Sequence, residues 1–456
     1  MASRSLARKL LKGAWSAHCS AFTSCWKRYS GWELSLLVVG WASFVSLVVI
    51  LLLPIGKGPQ LTAPANLMPP AGSPAFLKAI SYHMAVPVDY GPPVETLRDG
   101  NAFVRSVMRD IDGARHSINF MVYIWEDGNF NDMVLAHLER KLRQGVEVRV
   151  MLDAYGAAHA PSAKLKRLEQ AGAKVATFRS LVPLPWNILR NTKRNHRRAI
   201  VIDGTTGYTG GIAVADTWLG DARTPDEWHD FMFRMRGNMT ARVQGSFAEM
   251  WARTTGEILL GEKFYPVADA SGSTIPYVAL STSPSPDLYE AEGFTFLSLL
   301  GARRSIHVET PYFLPDATIR KILSEKARAG LDVTIVLPSR HTDQRSVRWA
   351  GQRIFTELLE AGVKIYEYQP TFTHAKLLLI DGVWSVIGTA NWDNRSRKIN
   401  DEVLFGISDP ALAEFLEGEL SRDIRKSKMI ELNTWRNRGP LQRTLEIASQ
   451  ALVQQY

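Results

Sequence analysis

Residues His374 to Asn391 read HAKLLLIDGVWSVIGTAN. Four apolar residues, Leu377 to Ile380, precede an Asp-Gly pair that favours a hairpin turn, and a second apolar run, Val383 to Ile387, follows the pair. The stretch therefore predicts two antiparallel strands joined by a tight turn. Because side chains two residues apart share one face of a strand, His374 and Lys376 are expected to project together.

A two-residue turn also predicts which residues lie opposite each other. If the Asp-Gly pair is that turn, position 374 pairs with position 389, and Thr389 and Asn391 share the face of the histidine and the lysine. An imidazole, an ammonium, a hydroxyl and an amide on one face suit a phosphate, because lysine and asparagine donate to its oxygens while histidine supplies a nucleophile or a proton. Asp381 lies an odd number of residues from His374, so its side chain is expected on the other face of the strand, at the turn. This position predicts an orienting or structural role.

The same frame occurs earlier in the chain. NHRRAIVIDG, residues 195–204, repeats the pattern His-x-(Arg or Lys)-x4-Asp-Gly. His196 and Arg198 share a face, and Asp203 precedes the turn glycine. The residues expected across from them are Gly211 and Ala213, so the first copy has no amide at this position. Arginine in place of lysine keeps the positive charge but offers a planar fork of donors.

The sequence around the two motifs is also duplicated. ARHSINFMVYIW (114–125) is echoed by ARRSIHVETPYF (302–313), and GVEVRVMLD (145–153) by GLDVTIVLP (330–338). Alternating helical and buried-strand segments predict an α/β fold in each half, which we assign to residues 79–260 and 261–456. The repeat is far longer than the ~20–50 residues of a solenoid repeat, which excludes that architecture.

The N-terminal region has the pattern of a membrane anchor. A cleaved signal peptide is the alternative, but its apolar core is typically ~7–15 residues, shorter than the one here. A basic segment, 1–33, precedes residues 34–55, which carry no charge over 22 positions and are long enough to cross a bilayer as a helix. A Pro-rich stretch, 56–78, is expected to be an extended linker. The positive-inside rule then predicts a single-pass protein of the bacterial inner membrane with its catalytic domain on the outer face.

Charge and cysteine content exclude other classes. Residues 1–60 contain seven Lys or Arg and one acid, so they carry six of the nine net positive charges of the whole chain. The remaining +3 gives no support to nucleic acid as a partner. Cys19 and Cys25 are the two cysteines, and the rest of the chain can form neither a disulfide framework nor a cysteine metal site.

These pieces resemble the phospholipase D superfamily, whose signature is His-x-Lys-x4-Asp followed by Gly-(Ser or Gly)-x-x-Asn, usually present twice. RNHRRAIVIDG with YTGGI, ETPYFLPD, HAKLLLIDGVWSVIGTANWDNRS and INDE look like a bacterial cardiolipin synthase. The resemblance spans roughly residues 95–440. It implies two similar phospholipase D-like halves, each a mixed β-sheet flanked by helices, with the active site at their interface.

The resemblance implies a role for each matching residue. One motif histidine attacks phosphorus and the other moves protons, while the cations and the amide hold the phosphoryl oxygens. Two acids, in the WHD and INDE stretches, accept the second nitrogen of each imidazole. The catalytic residues are thus predicted to be His196, Arg198, Asp203, His374, Lys376 and Asp381, the substrate-binding residues Thr389 and Asn391, and the orienting residues Asp230 and Glu402.

The resemblance also implies the reaction. It is phosphatidyl transfer between a phospholipid and an alcohol, with phosphatidylglycerol as the expected lipid and with neither cofactor nor metal. The alternatives are hydrolysis by the same intermediate, as in a phospholipase D or a nuclease, and a catalytically impaired lipid-binding protein. Arg198 and Ala213 depart from the signature and keep that last alternative open.

Overall fold

The computed structural model describes residues 32–33, 35–36, 38–43, 61–64, 67–179, 193–267, 272–283 and 290–449. The chain divides into two compact units, Met1–Lys57 and Gly58–Tyr456. The described residues of the first unit are helical. Most of the predicted membrane segment, 34–55, lies outside the described residues, and none of the helices that are described combines the length and the apolar character needed to cross a bilayer.

The larger unit alternates strands and helices. In its described residues the strands are β1 Asp89–Gly91, β2 Glu95–Arg98, β3 Ser117–Met121, β4 Glu147–Asp153, β5 Lys174–Phe178, β6 Ala199–Ile202, β7 Thr206–Gly210, β8 Phe231–Arg236, β9 Ile275–Thr282, β10 Ser305–Glu309, β11 Asp332–Pro338, β12 Lys364–Tyr368, β13 Leu377–Ile380, β14 Trp384–Gly388, β15 Glu402–Ser408 and β16 Ser427–Met429. The helices are α1 Pro74–Met84, α2 Asp99–Gly113, α3 Asn129–Arg143, α4 Ser162–Gln170, α5 Asn238–Thr255, α6 Glu290–Gly301, α7 Ala317–Arg328, α8 Arg345–Gln352, α9 Phe355–Glu360, α10 Asn394–Lys398, α11 Pro410–Arg425, α12 Leu432–Arg436 and α13 Pro440–Ser449.

Two mixed sheets carry the predicted duplication. The first has the order β2-β8-β7-β6-β3-β4-β5 and the second β1-β9-β15-β14-β13-β10-β11-β12-β16. In each half three successive strands are parallel and the motif hairpin runs antiparallel beside them. The seven strands of the first sheet therefore match seven of the second, β9-β15-β14-β13-β10-β11-β12, in order and direction. This confirms the predicted α/β fold with mixed sheets flanked by helices.

Apolar side chains from both sheets share one core. Met121 and Val201 of the first sheet and Leu377 and Phe405 of the second belong to a single buried cluster, together with apolar residues of α5 and α11. Each sheet packs its other face against its own helices. Since the sheets meet in one core, the ends of their motif strands lie in one region of the molecule.

The predicted strand register is wrong by one residue. The Asp-Gly turn forms, and the Val383 N–H donates to the carbonyl of Ile380 over 3.1 Å. The ladder, however, pairs Ile380 with Trp384, so Val383 is an extra residue of the bulge type beside the turn. The first hairpin has the same offset, with Ile202 opposite Thr206.

The predicted linker, 56–78, is not extended over its whole length. Ser73 accepts a hydrogen bond from the Phe76 N–H, Pro74 occupies the first turn, and α1 follows. Phe76, Leu77 and Ile80 are buried in the core of the second half. Residues 74–78 therefore belong to the folded unit, because their apolar side chains recur at helical spacing and pack there.

Candidate active site

Backbone contacts bind each motif histidine to the opposite half of the chain. The His196 N–H donates to the carbonyl of Asp401 over 2.9 Å, and the His374 N–H donates to the carbonyl of His229 over 2.7 Å. These residues lie just before β6 and β13, where Asn195 bridges to Asp401 and Thr373 to His229. The histidines are thereby held at the junction of the two sheets.

The carboxylates that hold the imidazoles are exchanged between the halves. Nδ1 of His196, in the first half, lies 2.8 and 3.0 Å from the two carboxylate oxygens of Glu402, in the second. Nδ1 of His374, in the second half, lies 2.6 Å from Asp230 in the first. Because a carboxylate only accepts, each Nδ1 carries the proton, which leaves Nε2 as the nitrogen with a free lone pair.

The two motif cations lie beside the histidines. Nζ of Lys376 donates to the carbonyl of His374 over 2.6 Å and lies 3.3 Å from Nε2 of that ring. Nη1 of Arg198 donates to the carbonyl of His196 over 2.9 Å. Both cations are buried, and both act electrostatically on Asp230 and Glu402. The four charges therefore share one enclosed site, and they cancel.

Burial determines the protonation of these groups. It lowers the pKa of His196 to about 4, assisted by Arg198 and opposed by Glu402. Burial, with Lys376, lowers the pKa of His374 to about 3. It also lowers the pKa of Lys376 to about 7. Burial by itself would raise the pKa of Glu402, but His196 holds it below its usual range. Both imidazoles are neutral near pH 7 and can act as nucleophile or base.

Thr389 does not take the predicted place beside the lysine. Its hydroxyl donates to Glu402, and in turn accepts from the Val403 N–H over 3.0 Å. The residue therefore holds the carboxylate that orients His196. Asn391 is nearer to its predicted place, since it lines a small buried cavity together with Lys376. Its Oδ1 is buried and has no partner in the described part of the chain.

In the first half, the carboxylate of Asp230 accepts its hydrogen bond from a different kind of donor. A Cβ on Gly211 would lie 2.1 Å from Asp230 Oδ1, so no side chain equivalent to Thr389 fits there. Instead, the indole Nε1 of Trp218 donates to Asp230 over 3.2 Å. Ala213 is fully buried in the apolar core of this half and offers no polar group.

The motif aspartates lie away from the histidines, at the far ends of β6 and β13. Asp381 accepts the N–H groups of Arg303, Arg304 and Ser305 at 2.7–2.9 Å. Asp203 accepts those of the equivalent residues, 115 to 117, at 2.7–2.9 Å. Both carboxylates thus anchor the start of β3 or β10, which is the placement expected from the structural role, and the inclusion of these aspartates among the catalytic residues stays a prediction.

Aromatic rings that the sequence did not single out surround the imidazoles. The Tyr123 ring meets His196 edge-on at 4.9 Å between centroids. Trp218 and Trp228 lie 5.3 and 5.5 Å from the ring of His374. They exclude water and lower the local dielectric, which accounts for the low pKa of each histidine. The motif spacing gives no signal for them, because they approach the site only through tertiary packing.

A third buried histidine, His229, lies behind the site. Nδ1 of His229 is 2.6 Å from Asp99 and its Nε2 is 3.2 Å from Asp423. Despite burial, Asp423 and Asp99 raise the pKa of His229 well above its ordinary value. Ligand atoms of His229, Glu309 and Asp423 lie within 4.8 Å of one another. Arg98 also binds Asp423, so we interpret the cluster as an ion-pair network that joins the two halves.

Comparison with known proteins agrees with this architecture. A family model described as "Cardiolipin synthase, PLD-like domain" matches residues 107–219 and 298–424. The chain is 33% identical over 357 residues to Cardiolipin synthase 2 of Staphylococcus epidermidis, covering 78% of this chain and 72% of that protein. It is 33% identical over 370 residues to Cardiolipin synthase of Geobacillus kaustophilus, covering 80% and 73%.

A solved structure has the same fold. The crystal structure of phosphatidylserine synthase from Haemophilus influenzae aligns with a TM-score of 0.63 at 14% identity, covering 83% of this chain and 99% of that one. The family match spans both motif histidines and the hairpins that follow them. The chain therefore belongs to the cardiolipin synthase family of phospholipase D-like proteins, and it is a phosphatidyltransferase of the phospholipase D type.

Proposed function

We propose that this protein makes cardiolipin by moving a phosphatidyl group from one phosphatidylglycerol molecule to a second, through a phosphohistidine. Cardiolipin consists of two phosphatidyl groups joined by one glycerol, so this transfer produces it and releases glycerol. The observation that carries the proposal is the exchanged pair of bonds, His196 to Glu402 and His374 to Asp230. Each leaves an unprotonated Nε2 within one buried site.

In the first half-reaction, Nε2 of one motif histidine attacks phosphorus, and the bond from phosphorus to the glycerol oxygen breaks. The other motif histidine donates its Nε2 proton to that oxygen as glycerol leaves. This second imidazole needs a proton that its low pKa disfavours in the free enzyme. A bound phosphodiester brings a negative charge into the site, which raises the proton affinity of the imidazole that faces it.

In the second half-reaction, the now neutral imidazole accepts the proton of an incoming hydroxyl. The oxygen of that hydroxyl attacks phosphorus and the phosphorus–nitrogen bond breaks, which returns both histidines to their starting state. Glu402 and Asp230 stabilise the imidazolium that forms transiently on each side. Arg198, Lys376 and Asn391 donate to the phosphoryl oxygens, where charge develops in the transition state.

We also propose that residues 34–55 anchor the protein in the bacterial inner membrane, with the catalytic unit on the outer face. The support is the uncharged stretch of 22 residues and the excess of basic residues before it. Carbonate extraction of membranes that contain the full chain should leave the protein in the pellet. A chain that starts at Gly58, where the second compact unit begins, should be released, and retention of this shorter chain would contradict the anchor.

Trapping the covalent intermediate tests the reaction. The full chain in detergent is mixed with phosphatidylglycerol labelled in its phosphate, and the products are separated by thin-layer chromatography. Native protein should give cardiolipin and glycerol. His196→Ala and His374→Ala should both abolish cardiolipin, and one of the two should accumulate labelled protein, which assigns the proton-transfer role to the histidine that was removed.

The control is His159→Ala, a change of the same kind at an exposed histidine outside the site. It should behave as native protein. Phosphatidic acid as the sole product would show that the protein hydrolyses the lipid and does not transfer the phosphatidyl group. Absence of turnover with native protein would support a lipid-binding role. Cardiolipin formation by His374→Ala would refute the assignment of the site.

A further inference from the structure

A basic cleft lies in the second half, on a loop that contacts the active site. It lies on the loop after β11 and the start of α8 and has a volume of about 420 Å³. Among the described residues its lining contains three arginines and no acid. The lining residues are Arg340, His341, Thr342, Arg345, Arg348 and Trp349.

Two of these arginines form no ion pair in the described part of the chain. Arg348 binds Glu367 over 2.5 Å, so its positive charge is already compensated. Arg340 and Arg345 are exposed, and within the described chain neither lies at ion-pair distance from a carboxylate. Two uncompensated guanidinium groups beside an indole suit a phosphate that carries an organic substituent, since arginine matches phosphate oxygens with paired donors.

The loop that carries the cleft also contacts the catalytic centre. Asp343, next to Thr342 in the cleft, accepts a hydrogen bond from Tyr312 Oη over 2.6 Å. The Tyr312 ring lies 6.4 Å from Phe372, which lies 5.7 Å from the ring of His374. Asp343 is also within electrostatic range of Lys376. The loop that lines the cleft is therefore connected to the catalytic centre through Tyr312 and Phe372.

In the first half, the equivalent segment contains no arginine. The segment after β4, which corresponds to the one after β11, reads AYGAAHAPSAK at 154–164, whereas the second half reads SRHTDQRSVRW at 339–349. The strand itself needs no arginine after it, because the first half connects β4 to the helix that follows without one. The arginines are thus a feature of one side of a pseudo-symmetric site, as is expected if donor and acceptor bind differently.

We propose that this cleft binds the phosphate of the acceptor, one glycerol away from the phosphorus that the histidines transfer. The inference rests on the proposed function and adds to it the position of the acceptor. The acceptor phosphate can be that of phosphatidylglycerol or that of a soluble glycerol phosphate, and the cleft chemistry is the same for both. Arg340 and Arg345 hold this phosphate so that the free hydroxyl of its glycerol points at the phosphohistidine.

Competition between acceptors provides the test. The full chain in mixed micelles receives phosphatidylglycerol and butanol together, so that one intermediate partitions between cardiolipin and phosphatidylbutanol. This product ratio does not depend on how well the donor binds. Arg340→Gln/Arg345→Gln should lower the ratio of cardiolipin to phosphatidylbutanol about tenfold, the effect of losing two partly exposed charge contacts. The rate of phosphatidylbutanol formation should not fall, because the shared intermediate still forms.

The matched control is Arg328→Gln/Arg425→Gln, which removes two exposed arginines that have no carboxylate partner in the described chain. It should leave the ratio as in native protein. Adding glycerol 3-phosphate as a third acceptor separates the two sources, because a fall in transfer to it as well means that the cleft recognises phosphate alone. An unchanged ratio in the cleft variant overturns the inference, whereas a native protein that makes no cardiolipin overturns the proposed function instead.

Discussion

Glu402 belongs to the second half of the chain, yet its carboxylate lies 2.8 Å from Nδ1 of His196 in the first half. Asp230 and His374 form the reciprocal pair over 2.6 Å. Neither half therefore contains a complete catalytic unit, since each supplies the imidazole for one pair and the acid for the other. The shared apolar core holds the halves together and makes the exchange permanent.

Glu402→Gln should lower kcat about 100-fold or more. The amide keeps the volume of the carboxylate, but it cannot stabilise an imidazolium on His196, and general acid–base transfer is worth roughly 10²–10⁴-fold. Steady-state transfer of labelled phosphatidylglycerol measures the loss. Glu414→Gln, on the exposed face of α11, is the control and should retain native activity. Native kcat in Glu402→Gln would show that the exchanged pair does not assist the reaction.

Much of the fold could be predicted from the sequence, because the features that define it involve residues close together in the chain. Buried strands, the Asp-Gly turn and the two-residue spacing of His374 and Lys376 depend on neighbours in sequence. The helix at Pro74 could also have been found, since Ser73 before a proline is a helix-start signal. The proline content of the segment outweighed that signal in the prediction of an extended linker.

The rest depends on packing, which spacing does not encode. One extra residue beside each turn shifts the register, and the Thr389 hydroxyl donates to Glu402 instead of lying beside Lys376. Trp218 replaces a hydroxyl as the donor to Asp230 from a position that no motif contains. Resemblance, and not geometry, identified Asp230 and Glu402, because residues so far apart in sequence meet only in the folded chain.

Activity should fall as the pH rises above about 7, because Lys376 is needed with its charge. Burial lowers the pKa of Lys376 to about 7, so the ammonium is charged below that pH and loses its proton above it. The value of kcat/KM, which reports the free enzyme, should decline toward tenfold per pH unit. On the acid side it should fall below about pH 3, where both motif imidazoles are protonated and neither can attack.

Lys376→Arg should remove the alkaline decline, because arginine keeps its charge throughout this range. The shape of the profile is the readout, whatever the absolute rate of the variant. In the native protein, the alkaline decline of kcat should occur at higher pH than that of kcat/KM, because a bound phosphodiester stabilises the charged form of Lys376. A decline that persists unchanged in the arginine variant would assign it to another group.

Asp381→Asn should destabilise the protein by about 2–3 kcal/mol and leave the chemistry of the site nearly intact. One carboxylate oxygen of Asp381 accepts from Arg304 and Ser305, and the other accepts from Arg303. The amide replaces one of these oxygens by a donor that faces an N–H. Asparagine tolerates the positive φ of 55° at this position, so the turn itself is retained.

Denaturant titration measures this loss of stability. Asp203→Asn is a matched variant, because it alters the equivalent three contacts in the first half and should cost a similar amount. The kcat of folded protein, measured well below the unfolding midpoint, should stay within a few-fold of native. A large loss of kcat at unchanged stability would instead support the predicted catalytic role of these aspartates.

Arg198→Lys should lower kcat about 10- to 100-fold, although it restores the usual motif residue. Nη1 of Arg198 makes the same bond to its histidine carbonyl as Nζ of Lys376, while Nε and Nη2 are buried and have no partner in the described part of the chain. We infer that these two donors supply what Asn391 supplies in the second half, since Ala213 has no polar group. Lysine would keep the charge and lose both donors.

The order of activity should therefore be arginine, then lysine, then glutamine at position 198. The step from arginine to lysine measures the two extra donors, and the step from lysine to glutamine measures the charge. Labelled transfer gives kcat for each variant, and thermal unfolding checks that the buried site still folds. If Arg198→Lys were as active as native protein or more active, the inferred role of Arg198 would be wrong. The guanidinium would then impair the first half-site and would not compensate for the missing amide.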